Sequence, residues 1–253
     1  MIEFIYAESE VEAGKKAAKI MADVIKKRPD ALIGLATGST PINMYAELVR
    51  MYKSGEISFG KIKSVNLDEY IGLPTTHSQS YAEFMRRHLF AHIDIKPENL
   101  HIPSGISDDP VAECDKYNRL LDRLGKVDIQ LLGIGHNGHI AFNEPRGDFA
   151  KDTETVALTD STVKANSRFF SSADEVPKYA ISMGIGRILR SKRILLLVTG
   201  EGKAEILEKA LFGKVTPSVP ASILQFYQGV LTVVADKAAL SVIKEKHSQT
   251  VFT

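Results

Sequence analysis

A chain of 253 residues with 44% hydrophobic and 25% charged side chains has the composition of an ordinary globular protein with an ample core, which excludes disorder. Its 32 basic and 31 acidic residues nearly cancel, to a net charge of +1, and no extended run of Lys or Arg occurs. Electrostatic attachment to nucleic acid or anionic lipid is therefore not expected, and the predicted partner is a small molecule. No apolar stretch approaches the roughly 18 residues of a membrane span, and the first residues lack the charged and apolar regions of a signal peptide. The single cysteine, Cys114, excludes an intramolecular disulfide and reads as a half-buried structural thiol; the expected setting is cytoplasmic.

In chain order, short β-branched runs alternate with longer amphipathic ones, the rhythm of βαβ units. Strands are predicted at Ile2–Tyr6, Ala31–Ala36, Ile62–Leu67, Val127–Leu132, Arg193–Thr199 and Val230–Ala235. Several are apolar on both faces, as buried parallel strands require. An apolar stripe from Val11 to Ile25 predicts the first helix, and others follow at Ile42–Met51, Ser80–Leu89, Val111–Leu124, Lys178–Leu189 and Ala204–Leu211. The order implies an α/β fold, a mainly parallel sheet with helices on both faces in a Rossmann-like three-layer arrangement. No linker or repeat divides residues 1–253, which read as one domain. The stretch from about 144 to 177 is polar and weakly periodic, a candidate lid or small added sheet.

In such a fold ligands sit outside the carboxyl ends of the strands, and four segments there carry chemistry. Thr37, Gly38, Ser39 and Thr40 follow a strand; Thr40 suits a helix N-cap and Pro41 its first turn, leaving free N–H groups and spare hydroxyls for an anion. Capping alone accounts for Thr40 and Pro41 but not for the additional Thr37-Gly38-Ser39. Asp68 and Glu69 form adjacent carboxylates at the end of the third strand, where they cap a helix or face water, or place Asp68 as a general base. The segment Gly133 to Pro145 contains G-x-G-x-x-G, but Pro145 arrives too soon for the helix that a dinucleotide site needs. Its glycines predict close backbone approach to a ligand, and His139 with Glu144 supplies an imidazole oriented by a carboxylate. A metal held by His136, His139 and Glu144 lacks the usual scaffold and is not expected. Arg168 and Lys203 are either plain surface charges or, placed near Thr37–Thr40, the cations of a phosphate cradle. His77, His88, His92, His101 and His247 show no partner pattern and read as structural or solvent-exposed.

Taken together, Ala36-Thr37-Gly38-Ser39-Thr40-Pro41, Asn66 to Gly72, Ser78-Gln79-Ser80-Tyr81, Gly138 to Pro145 and Ala165 to Phe170 occur in order along the chain. Through these motifs the sequence resembles the glucosamine-6-phosphate deaminase (isomerase) family, from the first strand to about Lys246. The resemblance implies conversion of glucosamine 6-phosphate and water to fructose 6-phosphate and ammonium, without metal or organic cofactor. It also implies roles: His139 as the acid–base that opens the sugar ring, Asp68 as the base that moves a proton between C2 and C1, and Glu144 as the carboxylate holding the histidine. Thr37, Gly38, Ser39, Thr40, Arg168 and Lys203 match the family's phosphate pocket.

Asn137 stands where many members carry an aspartate, which removes one negative charge beside His139 and leaves a polar orienting group. The related 6-phosphogluconolactonases resemble Asp-Glu-Arg and Ser-Leu-Phe-Pro where this chain has Asp68-Glu69-Tyr70 and Phe142-Asn143-Glu144-Pro145, which disfavours a lactonase. A non-catalytic sugar-phosphate sensor need not keep both Asp68 and His139. Allosteric members bind N-acetylglucosamine 6-phosphate through cations after the Phe-Asn-Glu-Pro motif; Glu154 and Val156 align with those positions here. The resemblance therefore implies an unregulated enzyme and a monomer or small homo-oligomer.

Overall fold

Several of the β-branched and aliphatic runs predicted as strands have no polar face to turn to water, so they pair with one another in the middle of the molecule. A computed structural model describes residues 2–252 apart from positions 168, 169, 171, 173 and 174. In chain order the first half contains β1 (Ile2–Ala7), α1 (Glu10–Lys27), β2 (Leu32–Leu35), α2 (Ile42–Lys53), β3 (Lys63–Asn66), β4 (Asp68–Tyr70), α3 (Tyr81–His88), β5 (Leu100–His101) and α4 (Pro110–Leu124). The second half contains β6 (Ile129–Leu132), β7 (Glu154–Ala157), α5 (Asp160–Asn166), β8 (Tyr179–Ser182), α6 (Ile185–Ile188), β9 (Arg193–Val198), α7 (Ala204–Phe212), β10 (Val230–Asp236) and α8 (Ser241–Lys246).

Seven strands form one parallel sheet in the order β1-β10-β9-β6-β2-β3-β5. The chain runs outward from β2 through β3 to β5, then returns to the other side of β2 for β6 and runs outward again through β9 to β10. The order thus reverses between β2 and β6, and the loops leaving those two strands diverge to open a crevice at their carboxyl ends. At the opposite edge, Asp128 closes the sheet. Its carboxylate accepts from Leu32 N (2.9 Å), Arg28 Nη1 (2.6 Å) and Lys192 Nζ (2.7 Å), tying together the starts of β2, β6 and β9.

Helices start where the sequence offers an oxygen to their free N–H groups. Ser9 accepts from Glu12 N, Ser80 from Glu83 N, and Asp109 from Val111 N and Ala112 N with Pro110 in the first turn. The α2 start departs from expectation. Pro41 itself occupies the cap position in a helical conformation, Ile42 N donates to Ser39 O, and Thr40 makes no side-chain capping bond. A turn through Ser39–Ile42 already leads into the helix, so the Thr40 hydroxyl is not used as a cap.

The second correction concerns Lys178–Leu189, expected as one helix. Tyr179–Ser182 is strand β8, and only Ile185–Ile188 makes a helical turn. Ala180, Ile181, Ile185 and Ile188 satisfy a helical and a strand reading almost equally, and pairing decides between them. β8 lies between β4 and β7 in a three-stranded antiparallel sheet. From the 144–177 region only β7 joins that sheet, beside β8, which pairs with β4 at Asp68–Tyr70. A small core of Tyr70, Phe142, Val156, Leu158 and Ala180 fills it.

Candidate active site

The four segments singled out from the sequence leave β2, β3, β6 and β9, which are four consecutive strands of the parallel sheet. Their carboxyl ends therefore present the segments side by side along one edge.

After β2, Gly38 has φ +99°, a left-handed conformation that a glycine adopts without strain. The turn it makes exposes the backbone of Gly38 and Ser39 to a cleft of about 270 Å³. Tyr81 borders the same cleft, its ring centroid 4.8 Å from that of Tyr70. Its phenol is buried near the Asp68 charge, and burial first of all pushes its pKa well above the ordinary value.

After β3 the chain steps from the parallel sheet into β4, and the alternation of a strand separates the two carboxylates. Glu69 is 2% exposed and serves α3: it accepts from Tyr81 N (2.8 Å) and Ala82 N (2.9 Å) at the helix start, and from Tyr70 N (2.9 Å). Of the adjacent pair, Glu69 takes the helix-capping role and Asp68 does not share it. Asp68 is 6% exposed, and among the described residues no donor is hydrogen-bonded to its carboxyl. Burial, with the Glu69 charge adding to it, pushes the Asp68 pKa up to about 8.

After β6 the segment stays a loop, with no helix at its third glycine. At Gly135 a Cβ would lie 2.3 Å from His139 Nε2, so any other residue would displace the imidazole. Ala141, with φ +52°, turns the chain back and brings Glu144 beside His139. The His139 Nδ1 atom lies 3.4 Å from Glu144 Oε2, within ion-pair range but without an aligned hydrogen bond. Asn137 braces both partners. Its Nδ2 donates to Glu144 Oε2 (2.6 Å), and its Oδ1 accepts from His139 N (3.2 Å). Thr162 of α5 donates to the other oxygen, Oε1, at 2.5 Å. Burial alone would raise the Glu144 pKa; the His139 contact, Thr162 and Asn137 together outweigh it and hold the carboxyl below its ordinary range.

β8 locks the loop to Asp68. Ser182 pairs with Asp68 across the antiparallel sheet, and its hydroxyl accepts from Phe142 N (3.0 Å). Met183 N donates to Leu67 O (2.7 Å), while Met183 O accepts from Asn143 Nδ2 (2.9 Å). After β9, Lys203 closes a short turn and its Nζ lies 3.2 Å from His136 Nδ1. Lys203 thus stands beside the β6 loop. Arg168 lies outside the described residues. Among the described residues no group of three or more His, Cys, Asp or Glu is arranged to hold a metal.

The sequence does not single out Thr162, Ser182 or the cleft's far wall. His88, expected as structural or solvent-exposed, lines the cleft together with Arg87. The Ser80-x-x-Glu83 start of α3 fixed that helix's position, and its i, i+3, i+7 stripe (Tyr81, Phe84, His88) was the available signal.

A reversed parallel sheet whose strand carboxyl ends carry a glycine-opened turn, a buried carboxyl and a braced imidazole defines an α/β protein with a small-molecule site. The sequence profile of the family described as glucosamine-6-phosphate isomerases/6-phosphogluconolactonase matches residues 7–233, and the chain belongs to that family. It is similar to the glucosamine-6-phosphate deaminases of Lachnoclostridium phytofermentans (52% identical, over 88% of this chain and 94% of the relative) and Clostridioides difficile (50%, over 92% and 93%). A monomeric glucosamine-6-phosphate deaminase of known structure matches with a TM-score of 0.92 and 47% identity, over 95% of this chain and 99% of its own. The 6-phosphogluconolactonase from Trypanosoma brucei, 16% identical with a TM-score of 0.76 over 97% of this chain, shares the fold.

Proposed function

We propose that this chain is an enzyme that isomerises and deaminates glucosamine 6-phosphate, giving fructose 6-phosphate and ammonium. The observation that carries the reading is the roughly half identity to glucosamine-6-phosphate deaminases over about nine-tenths of both chains. The lactonases of known structure share less than half that identity.

In this reading the phosphate rests on Thr37, Gly38, Ser39 and Thr40, with Lys203 and Arg168 supplying charge, which leaves C1 and C2 near Asp68 and His139. His139 moves a proton between the anomeric hydroxyl and the ring oxygen, opening the pyranose so that the C2 proton becomes acidic. Glu144, kept ionised by Thr162 and Asn137, steadies the imidazole. Asp68 takes the C2 proton, leaving an enolamine, and returns a proton to C1. The resulting imine at C2 adds water and releases ammonium, so one water is consumed for each ammonium formed. A carboxyl buried without donors suits the base, because it gains little from staying charged. A cytoplasmic setting and a monomer or small homo-oligomer belong to the same reading, supported by the monomeric structural relative.

The test is ammonium release from glucosamine 6-phosphate, run beside hydrolysis of 6-phosphogluconolactone. Release with fructose 6-phosphate as co-product supports the deaminase. Lactone hydrolysis without ammonium would make the chain a lactonase, and tight sugar-phosphate binding with neither reaction would make it a sensor.

A further inference from the structure

We propose that Arg87 is a further phosphate-binding residue, presenting its guanidinium to the substrate's phosphate across the cleft from the Gly38–Ser39 turn. The proposal rests on the deaminase reading and extends its phosphate pocket to α3.

Gly38, Ser39, Arg87 and His88 line one cleft of about 270 Å³, so a group resting on the turn faces the last turn of α3. Glu69 and Ser80 hold the start of α3 and thereby its rotation, which directs Tyr81, Phe84 and His88 into the cleft with Arg87 at their edge. The two adjacent arginines differ in how they are used. Arg86 is consumed by Glu83, with contacts of 2.6 and 2.7 Å to its two carboxylate oxygens. Arg87 donates from Nη2 to the carbonyl of Ser78 (3.0 Å), and among the described residues no carboxylate lies within ion-pair distance of it. A carbonyl steadies the guanidinium without cancelling its charge, so its remaining donors are pre-oriented for an anion.

The other charges point the same way. No carboxylate lines the cleft among the described residues. Burial, then the charges of Arg87 and His92, push the His88 pKa down, which leaves Arg87 as the cation lining the cleft among the described residues. The Gly38–Ser39 turn offers neutral donors, and a phosphate dianion held by them needs a full positive charge nearby.

The experiment compares Arg87→Ala and Arg87→Lys with the wild type. Arg87→Ala should raise KM for glucosamine 6-phosphate about three- to thirtyfold with little change in kcat, the loss expected for one charge-assisted contact at a partly exposed site. Inhibition by inorganic phosphate should weaken by a similar factor, and Arg87→Lys should recover part of both. Turnover of unphosphorylated glucosamine should not change, whereas a purely structural role at Ser78 would reduce it equally. An unaltered KM and phosphate affinity in Arg87→Ala, or an equal loss on both sugars, overturns the proposal. Phosphate binding measured by calorimetry decides the matter even if the wild type releases no ammonium, so failure of the deaminase reading is scored separately.

Discussion

Asp68 concentrates the energetic cost of the site, because a carboxyl without donors loses its hydration on folding and recovers nothing as an anion. Its folded pKa of about 8 stands far above the 3.8 of an exposed aspartate, so the folded state binds the extra proton. Below about pH 4 both states are protonated and the residue is neutral to stability. Between about pH 4 and 8 the unfolded chain ionises first and stability falls with rising pH; above 8 the loss is complete. Asp68→Asn removes this penalty, so the variant should exceed the wild type in urea stability by up to about 4 kcal/mol near pH 7, and by little near pH 4. Activity should move the other way, falling by roughly 10²- to 10⁴-fold together with hydrogen exchange at C2. Retained exchange would assign the base elsewhere. Since the base must be ionised to act, kcat/KM should climb with pH along a limb ending near 8, and an ascending limb near 4 would show the carboxyl ionised in the empty site.

At the scale of elements, the site was legible where local pattern and chain order coincide. Six strands of the parallel sheet are legible as short β-branched runs, several of them apolar on both faces, and the loops after four of them carry the polar groups that a buried sheet edge would otherwise exclude. Two-residue β5 is too short to leave a pattern. β8 was misread because its apolar positions suit either period and its partners β4 and β7 are distant in sequence. Thr162 and Ser182 stayed hidden for the same reason: each acts on the His139 loop through a tertiary contact, and neither residue type is distinctive. The Asp68-Glu69 pair could not be divided from sequence, since only the pleat of β4 decides which carboxylate meets α3. Glu69→Gln tests that division. It keeps the shape but turns an amide toward backbone N–H groups, and stability should fall by about 1–3 kcal/mol. kcat should stay within roughly tenfold of wild type, far above Asp68→Asn. With the Glu69 charge gone, the pH limb of kcat/KM should also move down, because that charge helps to raise Asp68. A kcat loss matching Asp68→Asn would place Glu69 in the reaction itself.

For the whole molecule the question is whether anything outside the crevice can shift it. A ligand moves an equilibrium only by its differential affinity for two states, so regulation by a sugar phosphate first requires cations to hold its phosphate. At the two positions aligned with those cations, Glu154 forms an ion pair with Arg146, and Val156 is buried in the small core under the added sheet. Glu154 therefore takes up the guanidinium nearest to it, and Val156 faces away from solvent. Lys151 is exposed, but it precedes β7 and stands outside the pattern. The residues that connect this region to the crevice, Thr162 and Ser182, hold Glu144 and the His139 loop within one chain. Initial rates against glucosamine 6-phosphate should accordingly be hyperbolic, with N-acetylglucosamine 6-phosphate giving no activation and acting at most as a competitor for the crevice. Sedimentation at the assay concentration should show a monomer or small oligomer, unchanged by the acetylated sugar. A sigmoidal curve that this compound made hyperbolic would mean that cations other than those aligned with Glu154 and Val156 bind the effector.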